Sequence, residues 1–400
     1  KCCLPGQYQM LLLTPMEKGS TYSNKMARQL ASVQRIENLE PIPGADQIER
    51  ATVLGWQLVV KKNEFSVGSL CVYVEIDSIM PDRPEFEFLR ERKFRVRTIK
   101  LRGQVSQGIA FPMSILPDKS IKPGEAIGTD VTELLGVVKY EPNQDEQVNQ
   151  KQVCKFIQPP WMPKWLGRLL FKYAFTRNLL KRNSGQKSFP SLIPKTDETR
   201  VQVLQALLTK YKGTPCYYTE KLDGSSITIY QINGKFGVCS RNIDLKRDAG
   251  DKFWRTVVEH DLERKLKQEF GKENIALQGE LIGPGIQGNK YKLDRLDIYF
   301  FNVYFIRDHA YDNIAELMEA CYLLKEKIVP VLNDNYILSD SIPELVELSK
   351  GESQLHKTLR EGIVIRPLIE MEDSELHCQL VRNRVSFKSV NPDFLLKYND

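Results

Sequence analysis

The sequence predicts a multidomain protein in which a small all-β barrel is followed by a larger α+β domain, and three observations lead there. The chain has 400 residues, which at roughly 100–200 residues per domain is room for two or three cored domains. Residues 31–117 consist of short alternating runs separated by Gly and Pro. From about residue 200 onward, strand-like and helix-like periods are mixed.

Residues 1–25 (KCCLPGQYQMLLLTPMEKGSTYSNK) have no sustained period, whereas Met26 opens MARQLASVQRIENLEPIP in the manner of a native beginning. The first 25 residues are therefore expected to be an extension outside the core. Residues 26–140 carry the runs LASVQRI, ERATVLG, WQLVVKK, SLCVYVEI, FRVRTIKLRG and SQGIAFP. Turns are marked at Pro43-Gly44-Ala45-Asp46, Val67-Gly68, Pro81-Asp82 and Arg102-Gly103. Short strands punctuated in this way close most simply into an oligonucleotide-binding (OB) barrel.

Residues 141–188 form the expected connector. An acidic stretch, EPNQDEQVNQ, gives way to WMPKWLGRLLFKYAFTRNLLKRNSGQK. Trp161, Trp165, Leu169, Leu170 and Tyr173 recur at helical spacing, and from Lys164 to Lys195 there are eight basic residues and no acidic one. A basic amphipathic helix of this kind tracks a phosphate backbone, lies on a membrane surface or is simply solvated. In residues 189–400, helical periods over 201–211 and 312–325 alternate with the strand-like runs CYYTEKLDG, SSITIYQING, KFGVCSRN, IALQGELI, DIYFFNVYF and EGIVIRPL. That mixture predicts an α+β domain.

Composition excludes several classes. Hydrophobic content of 42% with 27% charge lies far from disordered or collagen-like chains. The apolar patch Met10 to Leu13 is much shorter than the roughly 20 residues of a membrane span, so no membrane partner is expected. The eight cysteines form no CxxC pair and the four histidines form no compact cluster, which argues against a zinc site and a disulfide framework. A reducing intracellular compartment is expected, whether cytoplasm, nucleus or an organelle. The net charge of +6 says little in itself beside the concentration of basic residues in the connector.

The chemistry-bearing stretch is Glu220-Lys221-Leu222-Asp223-Gly224, which closes an aromatic strand and opens into Ser225-Ser226. Only the neutral amine of a lysine attacks, so a nucleophilic Lys221 calls for surroundings that lower its pKa. Alone, a KxDG stretch is a common surface turn. Here it is followed by Ser240-Arg241-Asn242, Gln278-Gly279-Glu280, the aromatic run 299–303, Glu361-Gly362-Ile363-Val364-Ile365-Arg366 and Ser386-Phe387-Lys388. Lys221 to Glu280 is 59 residues, Glu280 to Glu361 is 81 and Glu361 to Lys388 is 27.

In order and separation these motifs resemble those of the covalent nucleotidyltransferases, the ATP-dependent ligases and mRNA capping enzymes. The chain is most similar to RNA ligases of the Naegleria type, over about residues 30–398. Those enzymes join an N-terminal OB barrel to a C-terminal adenylyltransferase domain. The resemblance implies that Lys221 attacks the α-phosphate of ATP to form lysyl-AMP, that AMP passes to an RNA 5′-phosphate to give AppRNA, and that a 3′-OH then displaces AMP.

The resemblance also assigns roles to other residues. Glu220, Asp223 and Gly224 would surround the nucleotide, Arg241 would hold ribose or phosphate, and Phe301 would stack on adenine. Strand alternation admits only one of Phe300 and Phe301 to the pocket face. Glu280, Glu361 and Asp223 would serve Mg²⁺ or Mn²⁺, and Lys388 would stabilise charge on the α-phosphate. Lys195 and Arg200 would approach the phosphates. The chain departs from its relatives at Ser386, where they usually carry a second lysine, and Arg384 is the candidate for the missing charge.

The implied partner is RNA, at a nick or at broken strand ends and with DNA admissible in the splint or on the 5′ side, and the implied state is a monomer. DNA ligases and capping enzymes usually have another barrel after the last motif, whereas 12 residues follow Lys388. An NAD-dependent DNA ligase would call for zinc cysteines. A non-catalytic RNA-binding protein would have lost active-site residues, yet Lys221, Glu280, Glu361 and Lys388 are all present.

Overall fold

In the computed structural model, residues 29–116, 127–140, 187–373 and 383–398 are described. The extension 1–25 and nearly all of the connector 141–188, with its expected helix, lie outside them. The N-terminal region is a β-barrel of the OB type. Leu70–Val74 is the central strand of one sheet, antiparallel to both Ala31–Arg35 and Ile109–Pro112. Asn38–Pro41, Ile48–Val53 and Trp56–Lys61 form an antiparallel meander, and Thr98–Leu101 pairs with Gln104–Gln107 as a hairpin. Trp56, Leu58 and Val60 alternate with less buried neighbours along their strand. They join Val33, Ile36, Val72, Val74, Ile76 and Met80 in one core, as a pleated strand with a single buried face requires.

The C-terminal domain is built on two sheets. The larger runs in the order Lys187–Ser188, Ile243–Leu245, Lys235–Ser240, Ser225–Ile232, Ile275–Ile282, Asp297–Phe305, Ala310–Tyr311. The smaller runs Thr199–Arg200, Phe387–Val390, Gly362–Pro367, Pro215–Lys221, Val331–Ile337. Lys252–Glu259, Leu262–Phe270 and Ile314–Leu324 cover one face of the larger sheet through Trp254, Val257, Leu266, Leu317 and Leu324.

The helical periods at 201–211 and 312–325 become a 3-10 turn Val201–Val203 followed by Gln205–Tyr211, and Ile314–Leu324. Asn313 starts the last of these with a reciprocal capping box to Glu316. The helices at 252–270 are additional to those the sequence periods predict. Asp251 caps the first by accepting from the backbone N–H groups of Phe253 and Trp254.

Barrel and C-terminal domain are fastened directly. The Gly55 N–H donates to the Gln202 carbonyl at 2.8 Å. Arg200 pairs with Asp77 at 3.2 Å and lies 5.7 Å from the Trp56 ring centroid. The helix Pro392–Tyr398 lies against Thr98–Leu101 and sends Leu395 onto the barrel core. Gly55 is needed for this contact, because a Cβ there would stand 2.7 Å from two Ile342 side-chain carbons and 2.9 Å from the Gln202 Cα. Gly55→Ala is therefore expected to cost about 1–3 kcal/mol, read as a lower thermal midpoint, together with faster proteolysis between the domains. An unchanged midpoint would show that the contact contributes little.

Candidate active site

Lys221 is the last residue of Pro215–Lys221 and pairs in register with Gly362, the first residue of Gly362–Pro367. That pairing carries Glu361 to the lysine, and Lys221 Nζ donates to Glu361 Oε2 at 2.5 Å. Glu280 comes from the other sheet, paired with Ser226 on one side and Tyr299 on the other. The KLDG turn reaches that strand through Gly224, where a Cβ would meet the Leu281 carbonyl oxygen at 2.6 Å and Glu280 Cγ at 2.8 Å. The close approach that makes glycine necessary here is therefore to the protein's own strand.

Three carboxylates, Glu361, Glu280 and Asp223, act on one ammonium. Burial works to lower the Lys221 pKa, but these carboxylates outweigh it and hold the group above its ordinary value. This reverses the sequence-based expectation of an amine made neutral by its surroundings. The carboxylates are undercompensated in turn. Burial pushes Glu280 up to about 8, against the pull of Lys221 and with help from Glu361 and Asp223. Glu361 is also raised, first by burial.

An all-oxygen set with surplus negative charge suits a hard divalent cation. Among the described residues, no group of three His, Cys, Asp or Glu side chains converges as a ready cage. Glu361 is bonded to Lys221, and Asp223 accepts from Lys290 at 2.5 Å. Mg²⁺ or Mn²⁺ held by Glu280, Glu361 and Asp223 would thus keep part of its water shell.

Strand alternation turns Glu220 away from Lys221. Its side chain is 1% exposed and accepts the Gln354 N–H at 2.9 Å, so the carboxylate anchors the loop before Glu361 and does not join the lysine cluster. Phe301 is the extra residue of a β-bulge, because Gln278 pairs with Asn302 and Gly279 with Phe300. It is partly buried beside Leu222, Ile282, Tyr291 and Tyr299, while Phe300 is fully buried in the core under the helices.

Arg241 pairs with Asp197, and Lys195 Nζ donates to Asn242 Oδ1 at 2.7 Å. Lys388 is in register with Val364 and Arg200, and its charge acts on Glu361. Arg200 neighbours Lys388 along the backbone but directs its guanidinium to Asp77 of the barrel. Arg384 does not supply the charge missing at Ser386. It makes two hydrogen bonds to Glu370, at 2.6 and 2.8 Å, and one to Asn302. Ser386 Oγ accepts from the buried Arg366, which also donates to the Phe301 carbonyl and to Glu198.

Sequence reasoning missed Lys290 and Tyr291. The Asp223 N–H donates to the Tyr291 hydroxyl at 2.7 Å, and Lys290 lies 5.7 and 5.2 Å from the Phe394 and Tyr398 ring centroids. The available signal is a glycine-rich loop, GPGIQGNKY, between the strands bearing Glu280 and Phe301.

A lysine at a strand end, ringed by carboxylates from two sheets and flanked by arginine and lysine, defines a covalent nucleotidyltransferase site. Residues 214–390 match the RNA ligase family and residues 30–113 match an OB-fold domain family. The RNA ligase of Naegleria gruberi with pyrophosphate is 32% identical, with 94% of this chain and 100% of that one covered and a TM-score of 0.74. Mutants of that ligase with ATP and Mn (TM-score 0.75) and with AMP and Mn (0.74) are likewise 32% identical, over 93% of this chain and 100% of theirs. No curated protein sequence matches significantly. The chain belongs to the RNA ligase family typified by the Naegleria enzyme.

The raised Glu280 carboxyl has a consequence for stability. The folded protein retains a proton that the unfolded chain releases near 4.5, so without metal its stability falls as pH rises from 4.5 to about 8. Glu280→Gln is expected to melt above the wild type near pH 8.5 in chelator, with the gap closing toward pH 5. Parallel melting profiles would refute the buried-carboxylate account.

Proposed function

We propose that the protein is an ATP-dependent RNA ligase that joins a 3′-OH to a 5′-phosphate through Lys221-AMP and AppRNA. The observation that carries this reading is the Lys221–Glu361 contact at 2.5 Å, with Glu280 brought alongside from a second sheet. In the first step the Lys221 Nζ–phosphorus bond forms and the bond from the α-phosphorus to pyrophosphate breaks. Glu361 Oε2 is positioned to take the lysine proton. A divalent cation among the carboxylates would offset their hold on that proton and counter the phosphate charge.

In the second step an RNA 5′-phosphate oxygen displaces Lys221 from the AMP phosphorus and restores the amine. In the third, the 3′-OH attacks the RNA 5′-phosphorus and AMP departs. Arg241 and Lys388 carry the charge needed beside these phosphates.

The substrate is proposed to be a nick or a pair of broken RNA ends, with its flanks held by the barrel and the basic stretch 164–195. The direct fastening at Gly55 and Arg200 supports this, since strands bound on the barrel would lie at a set distance from Lys221. Both parts belong to one chain, so the reading needs only a monomer. The free thiols Cys71, Cys216, Cys239 and Cys321 suit the reducing intracellular compartment proposed for it.

Incubation with α-labelled ATP and Mg²⁺ or Mn²⁺, followed by a denaturing gel, tests the first step. The wild type is expected to carry label, and Lys221→Ala to carry none while it melts as a folded protein. Label on the variant would remove Lys221 as nucleophile, and labelling by GTP in place of ATP would indicate a capping enzyme. Reversing charge at Lys172 and Arg177 together should weaken RNA binding about tenfold at low salt and flatten its salt dependence, with labelling spared. Equal RNA affinity at low salt would overturn that part of the reading.

A further inference from the structure

The segment Lys195-Thr196-Asp197-Glu198-Thr199-Arg200 crosses from one sheet to the other. Before it, Ser188 pairs with Ile243 in the larger sheet. At its end, Thr199 and Arg200 pair with Phe387 and Lys388 in the smaller. Its side chains find separate partners along the way. Thr196 Oγ1 and Ser226 Oγ are 2.9 Å apart, Glu198 pairs with the buried Arg366 at 3.0 Å, and Arg200 pairs with Asp77.

Asp197 differs from these in its company. Its side chain is 48% exposed and forms an ion pair with Arg241, itself 50% exposed. Lys195 stands beside the pair on Asn242, the residue after Arg241. The charges of Lys388 and of Lys139, an exposed residue of the barrel, also act on Asp197. Although burial works against its charge, these four cations together hold the carboxyl below its usual range. Two of them lead back to the nucleophile, since Lys388 also acts on Glu361 and Arg241 on Glu280. Asp197 is thus a half-exposed carboxylate among cations next to the Lys221 cluster, whose Glu361 and Asp223 are only 16% and 18% exposed.

We propose that Asp197 is an internal stand-in for a substrate phosphate: it fills a subsite formed by Lys195, Arg241, Lys388 and the barrel's Lys139, and a terminal phosphate displaces it. The inference rests on the ligase reading and deepens it by assigning the subsite a specificity. A terminal phosphate carries about two negative charges and three acceptor oxygens, more than a carboxylate offers to one guanidinium and three ammonium groups. An internal phosphodiester carries one charge and gains little by exchange. Asp197 therefore makes the subsite select chain ends over continuous backbone, and Lys139 makes its completion depend on the barrel.

A terminal phosphate can come from a 5′-phosphorylated RNA end or from the pyrophosphate part of ATP. The test uses the full chain and three probes, inorganic pyrophosphate and one RNA oligonucleotide with either a 5′-phosphate or a 5′-hydroxyl. Asp197→Asn is expected to tighten pyrophosphate or the 5′-phosphorylated RNA about two- to fivefold, the scale of an exposed ion pair. The 5′-hydroxyl RNA should not respond. Whichever probe responds identifies the source, and Lys139→Ala should weaken that same probe.

Glu259→Gln removes a carboxylate from the outer helix Lys252–Glu259 and should change no affinity. Weaker or unchanged binding of both phosphates to Asp197→Asn overturns the proposal, because Asp197 would then only hold Arg241 in place. Equal tightening of the 5′-hydroxyl RNA, a matching effect of Glu259→Gln, or indifference to Lys139→Ala overturns it as well. Labelling of the wild type from ATP reports separately on the ligase reading. Label without a response to Asp197→Asn sinks the subsite alone, whereas absence of label sinks the reading beneath it.

Discussion

The site depends on keeping one ammonium among three carboxylates. Taking any of these charges out of water is costly, and the larger sheet, the smaller sheet and the KLDG turn each contribute one carboxylate around Lys221. The lysine gains enough from them to remain charged, but a single ammonium cannot satisfy Glu361, Glu280 and Asp223 together. The resting site therefore holds its nucleophile protonated and its carboxylates undercompensated. Both deficits point toward added positive charge, and a divalent cation would relieve both.

Much of this arrangement is legible in the amino-acid sequence because the motif residues lie in or beside strands, and register turns sequence order into proximity. Lys221 opposite Gly362 and Ser226 opposite Glu280 convert separations of 141 and 54 residues into neighbouring backbones. The barrel is legible for a related reason, since alternating burial in Trp56–Lys61 leaves a period of two in the sequence. The helices at 252–270 are harder to read although Asp251 caps the first of them. In DLERKLKQEF, charged side chains interrupt an apolar face that rests on little more than Leu262 and Leu266.

Residues that act through loops leave no comparable trace. Lys290 and Tyr291 meet Asp223 only because the strands Ile275–Ile282 and Asp297–Phe305 pair and fold the intervening segment over the turn. The direction of Arg384 is illegible for a similar reason. Proximity to Lys388 in sequence suggests a phosphate ligand, but Glu370 and Asn302 take up its donors. Arg200 shows the same limit, since its backbone lies beside Lys388 while its side chain serves the barrel. A basic residue near a motif says where charge is available, and the carboxylates around it decide where that charge goes.

Glu220 and Lys221 carry this furthest, because two adjacent charged residues serve opposite faces of one strand. Lys221 faces the cleft, and Glu220 reaches the other way to accept the Gln354 N–H. Arg360 secures the same loop from its far end by donating to the Ser349 and Lys350 carbonyls. The loop between these anchors delivers Glu361. The 2.5 Å contact between lysine and glutamate is thus determined twice, once by the pairing of Lys221 with Gly362 and once by the hold of Glu220 on the segment that precedes Glu361. A nucleophile and its partner carboxylate 140 residues apart in the chain need that redundancy, since displacement by even one ångström would cost much of the reactivity that alignment provides.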